Sequence, residues 1–381
     1  MECLAERLTA EQELHWLALL CTPGLGSRRS LTLLEALGTP EKIFRASASE
    51  LEFAGCSPSS ARAIASGISF DAAATQQEHL RRHQAVLIPI GHPAYPPRLR
   101  EIYDPPVALF ARGNVDLMLS VTVAMVGTRR PTPYGIAAAD RLSTDLALAG
   151  VTIVSGMARG IDTAAHQAAL KAEGGTVAVF GCGVDLVYPA ENRSLATRLV
   201  EKGLVLSEYP MKTPAYPQNF PVRNRIISGL SHGVCIVEGA QYSGSGVTAR
   251  LALDQGREVF AVPGNITSQQ SWGPNLLIKQ GAKLVQDHAD IIQELPLEAR
   301  LTLRAKAGDI TPKPAPGAPS ALPLERDLLE ALRPDTPLSL DVLTDTLPHH
   351  SPSEIIAALF DLELAGQVKQ LPGKQFLREW R

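Results

Sequence analysis

The chain has 381 residues, 45% of them hydrophobic and 20% charged, with a formal net charge of −3; that is room for two or three domains and at least one large core. No apolar run approaches the roughly 18 residues that span a bilayer. Met1 to Ala10 holds acidic residues and no apolar signal core, so the expected location is cytoplasmic, with no membrane partner.

Cys3, Cys21, Cys56, Cys182 and Cys235 show no CxxC spacing, which argues for reduced thiols rather than a disulfide framework or a zinc site. The small net charge conceals an asymmetry. Residues 1–80 and residues 324–381 each carry 6 Lys/Arg against 10 Asp/Glu, leaving 24 basic against 19 acidic residues in 81–323. A polyanion would be bound by the middle of the chain.

Residues 1–80 read as a small helical domain. Glu11–Leu20 is amphipathic, Thr22-Pro-Gly-Leu-Gly-Ser27 turns the chain, and Arg28–Leu37 is helical up to Gly38. A second copy of this plan follows, with Glu41–Arg45, Ser49–Phe53, the turn Ala54–Ser57 and Pro58–Gly67. The first turn resembles a helix-hairpin-helix element, whose amides can hold a DNA phosphate. Glycines are also needed simply to turn one helix into the next. The acidic balance favours that second reading, a docking domain.

Residues 81–297 change pattern. Continuous Val/Ile/Ala runs (Val86–Ile90, Val107–Arg112, Val121–Gly127, Val151–Gly156, Thr176–Gly181, Leu204–Glu208, Gly233–Glu238, Glu258–Pro263, Lys283–Gln286) alternate with helical stretches. That predicts a doubly wound, Rossmann-like α/β domain with a mostly parallel sheet covered on both faces. Residues 298–323 read as a Pro/Ala-rich linker, with five prolines between 311 and 323. Residues 324–381 read as a winged helix. The helices are Leu324–Leu332, Leu340–Thr346 and Pro352–Leu364, and a hairpin turns at Pro372-Gly373. The third helix carries Glu354, Asp361 and Glu363 and no base, the wrong sign for duplex DNA. A contact with protein, or with its own chain, rather than with duplex DNA is expected there.

Four loops follow strands in the α/β region, where such sheets bind ligands. Gly127–Gly135 lacks the G-x-G-x-x-G dinucleotide fingerprint. Arg129, Arg130 and a helix start make it an anion site, against the alternative of a turn with solvated arginines. In Ser155–Asp162, Gly156 and Gly160 allow a ligand backbone to approach closely, and Asp162 can cap the following helix. Asp162 and His166 share a helix face, but two ligands without a third make a weak metal site, so no metal is expected. Cys182, between two glycines, lacks a His partner placed by sequence and is expected to be a packed free thiol.

The fourth region, Pro217–Arg250, holds Phe220, Arg223, Arg225 and the loop Ser243-Gly244-Ser245-Gly246, which opens a helix. Hydroxyls, glycine amides and a helix N-terminus suit one phosphate. Phe220, in a proline-bounded loop, either stacks on a base, contributing roughly 1–3 kcal/mol, or plugs the sheet edge. No P-loop lysine motif is present, so nothing is built for ATP hydrolysis and no cofactor is expected.

V-G-T-R-R-P-T-P-Y-G, S-G-M-A-R-G-I-D-T-A-A-H, G-C-G-V-D-L-V-Y-P-A-E-N, N-F-P-V-R-N-R-I-I-S-G-L-S and V-E-G-A-Q-Y-S-G-S-G-V-T-A-R resemble the DNA-processing protein A (DprA, also called Smf) family. The resemblance runs over about residues 85–295 with the motifs in family order, and the terminal domains match in general plan. It implies a non-enzymatic protein that binds and protects incoming single-stranded DNA in natural transformation and loads the RecA recombinase, displacing single-strand-binding protein. It also implies a homodimer formed through the Rossmann-like domain.

Carried onto this chain, the resemblance places Arg129, Gly156, Gly160, Phe220, Arg223, Asn224, Ser243, Gly244 and Ser245 in the strand-binding pocket. Lys212 stands where a pocket lysine is common, and Arg225 joins Arg223 as a candidate phosphate ligand. Gln218 stands where the family often has Lys or Arg, and Thr128 where Ser is usual. The rival reading is a Rossmann-like nucleotide phosphoribohydrolase, echoed in part by Ser243–Thr248 after Glu238. A transcription factor acting through the winged helix is the third reading, weighed against by its acidic third helix.

Overall fold

The computed structural model describes residues 8–241, 243–309, 323–333, 336–364, 367–371, 373 and 375–378. Six helices come first: Ala10–Leu20, Ser27–Leu37, Pro40–Arg45, Ala48–Phe53, Pro58–Ser66 and Phe70–Arg82. Side-chain caps set several of their starts. Thr9 and Ser47 each form a reciprocal capping box, and Thr39 and Ser57 accept from the third backbone N–H. The sixth helix was not expected from the sequence. Its Asp-Ala-Ala-Ala-Thr-Gln-Gln run buries only Ala73, His79 and Leu80, too sparse an apolar stripe to read as a face.

The central sheet has nine strands: β1 (Val86–Pro89), β2 (Ala108–Gly113), β3 (Thr122–Val126), β4 (Thr152–Ser155), β5 (Thr176–Val179), β6 (Leu204–Ser207), β7 (Gly233–Ile236), β8 (Glu258–Ala261) and β9 (Lys283–Leu284). They lie in the order β1-β2-β6-β5-β4-β3-β7-β8-β9. From β6 to β9 every pairing is parallel, whereas β1 and β2 extend the sheet antiparallel. The winding runs outward from β3 to β6, returns to the centre, and runs the other way through β7 and β8. The seam between β3 and β7 is therefore the topological switch point, where a crevice opens at the strands' carboxyl ends.

Alternation along the strands divides the core. Ala124, Val126, Val234 and Ile236 face the helices Asn219–Leu230 and Gly244–Asp254. Val123, Met125, Cys235 and Phe260 face Pro133–Leu148 and Ile161–Lys171. Both faces are dry, which is why these strands read as unbroken apolar runs. The first and sixth helices pack directly onto this body, with Leu17, Ala73 and Leu80 in one cluster with Leu87 and Phe110.

Residues 297–309 depart from the expected linker: Leu297–Asp309 is helical, and Ala299 and Leu303 are buried in the core cluster of Ile291 and Leu295. The proline-rich run 311–322 lies outside the described residues. Beyond it are the helices Pro323–Ala331, Leu340–Thr346 and Pro352–Leu364. A small sheet of β10 (Leu338–Ser339), β11 (Val368–Leu371) and β12 (Gln375–Arg378) completes the winged helix, with Gly373 at φ 88° in the hairpin.

Candidate functional site

A groove of about 650 Å³ runs along the carboxyl ends of β3 to β7. Segments after five strands contribute: Gly127 to Arg130 after β3, Ala158 and Asp162 after β4, Tyr188 after β5, Ala215, Pro217, Phe220 and Asn224 after β6, and Ala240 with Ser243 to Ser245 after β7. Thr128 N–H donates to the Glu238 carbonyl at 2.8 Å, which ties the two loops at the switch point.

Arg129 and Arg130 are exposed, and neither is ion-paired with a described residue. The Arg129 guanidinium lies 5.8 Å from the centre of the Phe220 ring. Across the groove, Ser243 is the N-cap of Gly244–Asp254 but makes no capping hydrogen bond; its hydroxyl meets that of Ser245 at 2.7 Å instead. Gly246 N–H donates to the Ser243 carbonyl at 3.1 Å, which leaves the amides of Gly244 and Ser245 without an acceptor among the described residues, and the open space around Gly244 lets one reach them. Two free cations facing a helix N-terminus make an anion groove.

Phe220 is not in a loop. It is the second residue of Asn219–Leu230, and Pro221 fits the first helical turn, where no amide donor is needed. Asn219 fixes the turn by donating from Nδ2 to the Gly181 carbonyl at 2.9 Å. The ring is half-buried. One edge packs on Gly181, where an added Cβ would come within 3.0 Å of it, and the ring lies 5.3 Å from that of Tyr188. It covers the carboxyl end of β5, an interior strand rather than an edge, and it lines the groove.

The floor of the groove is a layer of buried polar groups, with Arg223 and Asp162 among its lining. Arg223 is 4% exposed and donates to the carbonyls of Gly156 (2.7 Å) and Val179. Burial, partly offset by Asp162, pushes its pKa down to about 10, so it remains cationic at neutral pH. Asp162 does not cap its helix, whose N-cap is Gly160; its carboxylate accepts from the amides of Gly156 (3.1 Å) and Ala158 (3.2 Å) and so pins the preceding loop. Burial raises its pKa, against the pull of Arg223. His166 donates to or accepts from the Thr176 hydroxyl at 2.7 Å and is held neutral, its pKa pushed down to about 3 by burial and by Arg223. No group of described residues could hold a metal ion.

The two glycines serve the protein itself. A Cβ on Gly156 would lie 2.6 Å from Arg223 Nη1, a guanidinium pinned by two carbonyls that cannot give way. Gly160 has φ +78°, and its Cβ would meet Pro131 Cδ at 2.7 Å, packing one loop against the next. Neither lines the groove, so their role is to let loop meet buried arginine and loop meet loop.

Of the other expected residues, Asn224 lines the groove together with Ser243, Gly244 and Ser245. Arg225 does not. It points into an ion-paired triad with Glu208 and Asp104 (2.9 Å), its side chain only 7% exposed, and those carboxylates raise its pKa against the effect of burial. Two residues along a helix is about 200° of rotation, so Arg223 and Arg225 could not share a face. Lys212, at φ +65°, is exposed and gives its backbone N–H to Asp185 at 2.9 Å, outside the groove lining. Cys182 is a packed free thiol, its pKa pushed up to about 11 by burial. Sequence reasoning missed Tyr188 and Gln270 as groove residues. Tyr188 stood inside a quoted motif, but nothing in one sequence says that its loop folds back beside Phe220.

Comparison with known proteins agrees with this architecture. The family model "DNA recombination-mediator protein A" matches residues 86–296, and that of the DprA winged helix domain matches residues 312–374. Protein Smf of Escherichia coli is 42% identical over 288 residues, covering 75% of this chain and 76% of that protein. DNA processing protein DprA of Bacillus subtilis is 47% identical over 210 residues, 55% of this chain and 71% of that protein. The X-ray structure of DNA processing protein A from Streptococcus pneumoniae superposes with a TM-score of 0.64 at 36% identity, covering 77% of this chain and all of that one. The chain belongs to the DNA recombination-mediator protein A (DprA/Smf) family, with its recombination-mediator role in DNA processing.

Proposed function

We propose that this family member is a non-catalytic, single-stranded-DNA-binding mediator. It protects incoming DNA in natural transformation, loads RecA in place of single-strand-binding protein, and works as a homodimer through the α/β domain. The observation that carries the reading is the groove at the switch point. Arg129 and Arg130, without an ion pair among the described residues, the amides of Gly244 and Ser245 and a part-exposed Phe220 meet there in a channel bounded by five segments. A channel of free cations and aromatic surface suits a flexible polyanion with bases splayed out, whereas a duplex keeps its bases stacked inward.

The rival phosphoribohydrolase needs a free carboxylate near the Ser/Gly loop. Glu238 is 1% exposed and accepts from both the amide (2.9 Å) and the hydroxyl (2.6 Å) of Thr132, which makes it a brace between two loops. That favours the non-catalytic reading.

Titration of oligothymidylates against wild type and Arg129→Ala across a salt series tests the reading. The expected result is tighter binding with length and little base preference. The log–log salt slope should be about −0.7 per phosphate neutralised and become shallower by about that amount in the variant. Equal affinity and slope for the two proteins would sink the groove assignment. Release of free base from a nucleotide panel would instead support the hydrolase. RecA loading is checked by filament growth on strands coated with single-strand-binding protein, which should be faster when this protein is added.

A further inference from the structure

The loop between β5 and the helix Arg193–Lys202 carries an aromatic that the groove's anion chemistry leaves unexplained. Tyr188 is 49% exposed, and its hydroxyl makes no hydrogen bond to a described residue. A tyrosine held only by packing normally buries its ring and finds its hydroxyl a partner. This one does neither, and it lies on the groove lining beside Phe220.

We propose that Tyr188 and Phe220 together form a two-ring ledge on which successive bases of a single strand stack. This rests on the reading of the groove as a single-strand site and specifies how that site takes the bases. The ring centroids are 5.3 Å apart with planes tilted by 40°. Sandwiching one base between two rings requires two stacking distances of about 3.5 Å each, so no base fits between them. Their outward surfaces are what a strand can use, giving adjacent platforms rather than a clamp.

The platform is rigid. Gly183 N–H donates to the Thr213 carbonyl at 2.9 Å, Leu186 N–H to Gly183 at 3.0 Å, and Lys212 N–H to the Asp185 carboxylate at 2.9 Å. Arg112 reaches the Val184 carbonyl at 3.3 Å. The bonds to Thr213 and Lys212 tie the Tyr188 loop to the segment that leads into Phe220, and the other two brace the loop itself, so the two rings are set relative to each other before any strand arrives. Little ordering remains to offset the stacking gain. Arg129, close to the Phe220 ring, then lies where the phosphate joining stacked nucleotides can meet it.

The test compares two ligands on the full-length chain: an oligothymidylate, and an abasic strand of the same length that keeps the phosphates and lacks the bases. Tyr188→Ala should bind the oligothymidylate about tenfold more weakly, within the range for one lost base stack. It should bind the abasic strand as wild type does, and Tyr188→Phe should recover most of the loss. Unchanged oligothymidylate affinity in Tyr188→Ala would overturn the ledge. So would an equal loss on both ligands, which would mean that the ring only supports the loop. Arg129→Ala separates this from the parent reading. If that variant weakens both ligands while Tyr188→Ala weakens neither, the groove stands and the ledge falls. If wild type binds neither ligand, both fall.

Discussion

Arg129 and Arg223 stand equally far from the Phe220 ring, each 5.8 Å from guanidinium carbon to ring centre, yet they belong to different environments. Arg129 sits on the groove lip, exposed and without an ion pair among the described residues. Arg223 lies one layer down, enclosed, donating to backbone carbonyls of two loops and facing Asp162. The lip keeps its charges unmatched so that a ligand can match them. The layer beneath has its charges met by the protein, because an unmet buried charge costs several kcal/mol. Residue type alone does not say which job an arginine has; its partners do.

The sharpest way to break this contrast is Arg223→Ala. Removing the cation strips two carbonyls of their donor and leaves Asp162 buried without it, so a stability loss of about 3–5 kcal/mol is expected in urea unfolding. A loss below about 1 kcal/mol would move Arg223 to the lip class. Arg225→Ala comes next. Glu208 is largely buried but Asp104 is half exposed, which lowers the expected loss to roughly 2–3 kcal/mol. Its strand binding should keep the wild-type salt slope, and a shallower slope would return Arg225 to the groove. At the lip, Arg130→Ala should leave stability within about 0.5 kcal/mol of wild type while weakening binding to oligothymidylate. A large drop in unfolding midpoint would show that the lip also holds the fold together.

The smallest effect is one of pH. His232 is buried between Thr122, Arg98 and Arg257, and burial followed by Arg98 pushes its pKa down to about 4. The unfolded chain therefore takes up the proton first as pH falls below the ordinary value of 6.5. The stability this group supplies is complete above pH 6.5 and is lost between there and pH 4, with a slope of up to about 1.4 kcal/mol per pH unit. His166 acts in the same direction, whereas Asp162, lifted by burial, opposes it in the acid part of the window. His232→Gln should flatten the acid limb of an unfolding-midpoint profile, and an unchanged limb would refute this account.

Much of the fold was legible because both sheet faces are dry. The strands read as continuous apolar runs, and Ser, Thr and Pro at helix starts marked most boundaries. The helix Phe70–Arg82 was not legible, since it buries only Ala73, His79 and Leu80. Residues 298–309 were taken as linker because their charges masked a stripe of Ala299 and Leu303. At the site, the segments bearing Arg129, Phe220, Asn224 and Ser243 to Ser245 do converge, with Phe220 and Asn224 on a helix rather than a loop. The glycines were read as places where a ligand backbone approaches, but what approaches them is Arg223 at Gly156 and Thr128 and Pro131 at Gly160, parts of the chain itself. Asp162 was read as a cap and proved to hold the preceding loop.

The sequence by itself determined the alternation of strands and helices, the winged-helix plan, the family, and the loops that carry the chemistry. These follow from local periodicity and short motifs, which a chain displays in order. Only the tertiary structure decided that Arg223 is buried and Arg225 ion-paired away from the groove while Arg129 stays free. It alone brought Tyr188 beside Phe220 across more than thirty residues of intervening chain. The physical reason is that exposure, charge partners and ring proximity depend on what the rest of the sheet places nearby, which no single stretch of sequence contains.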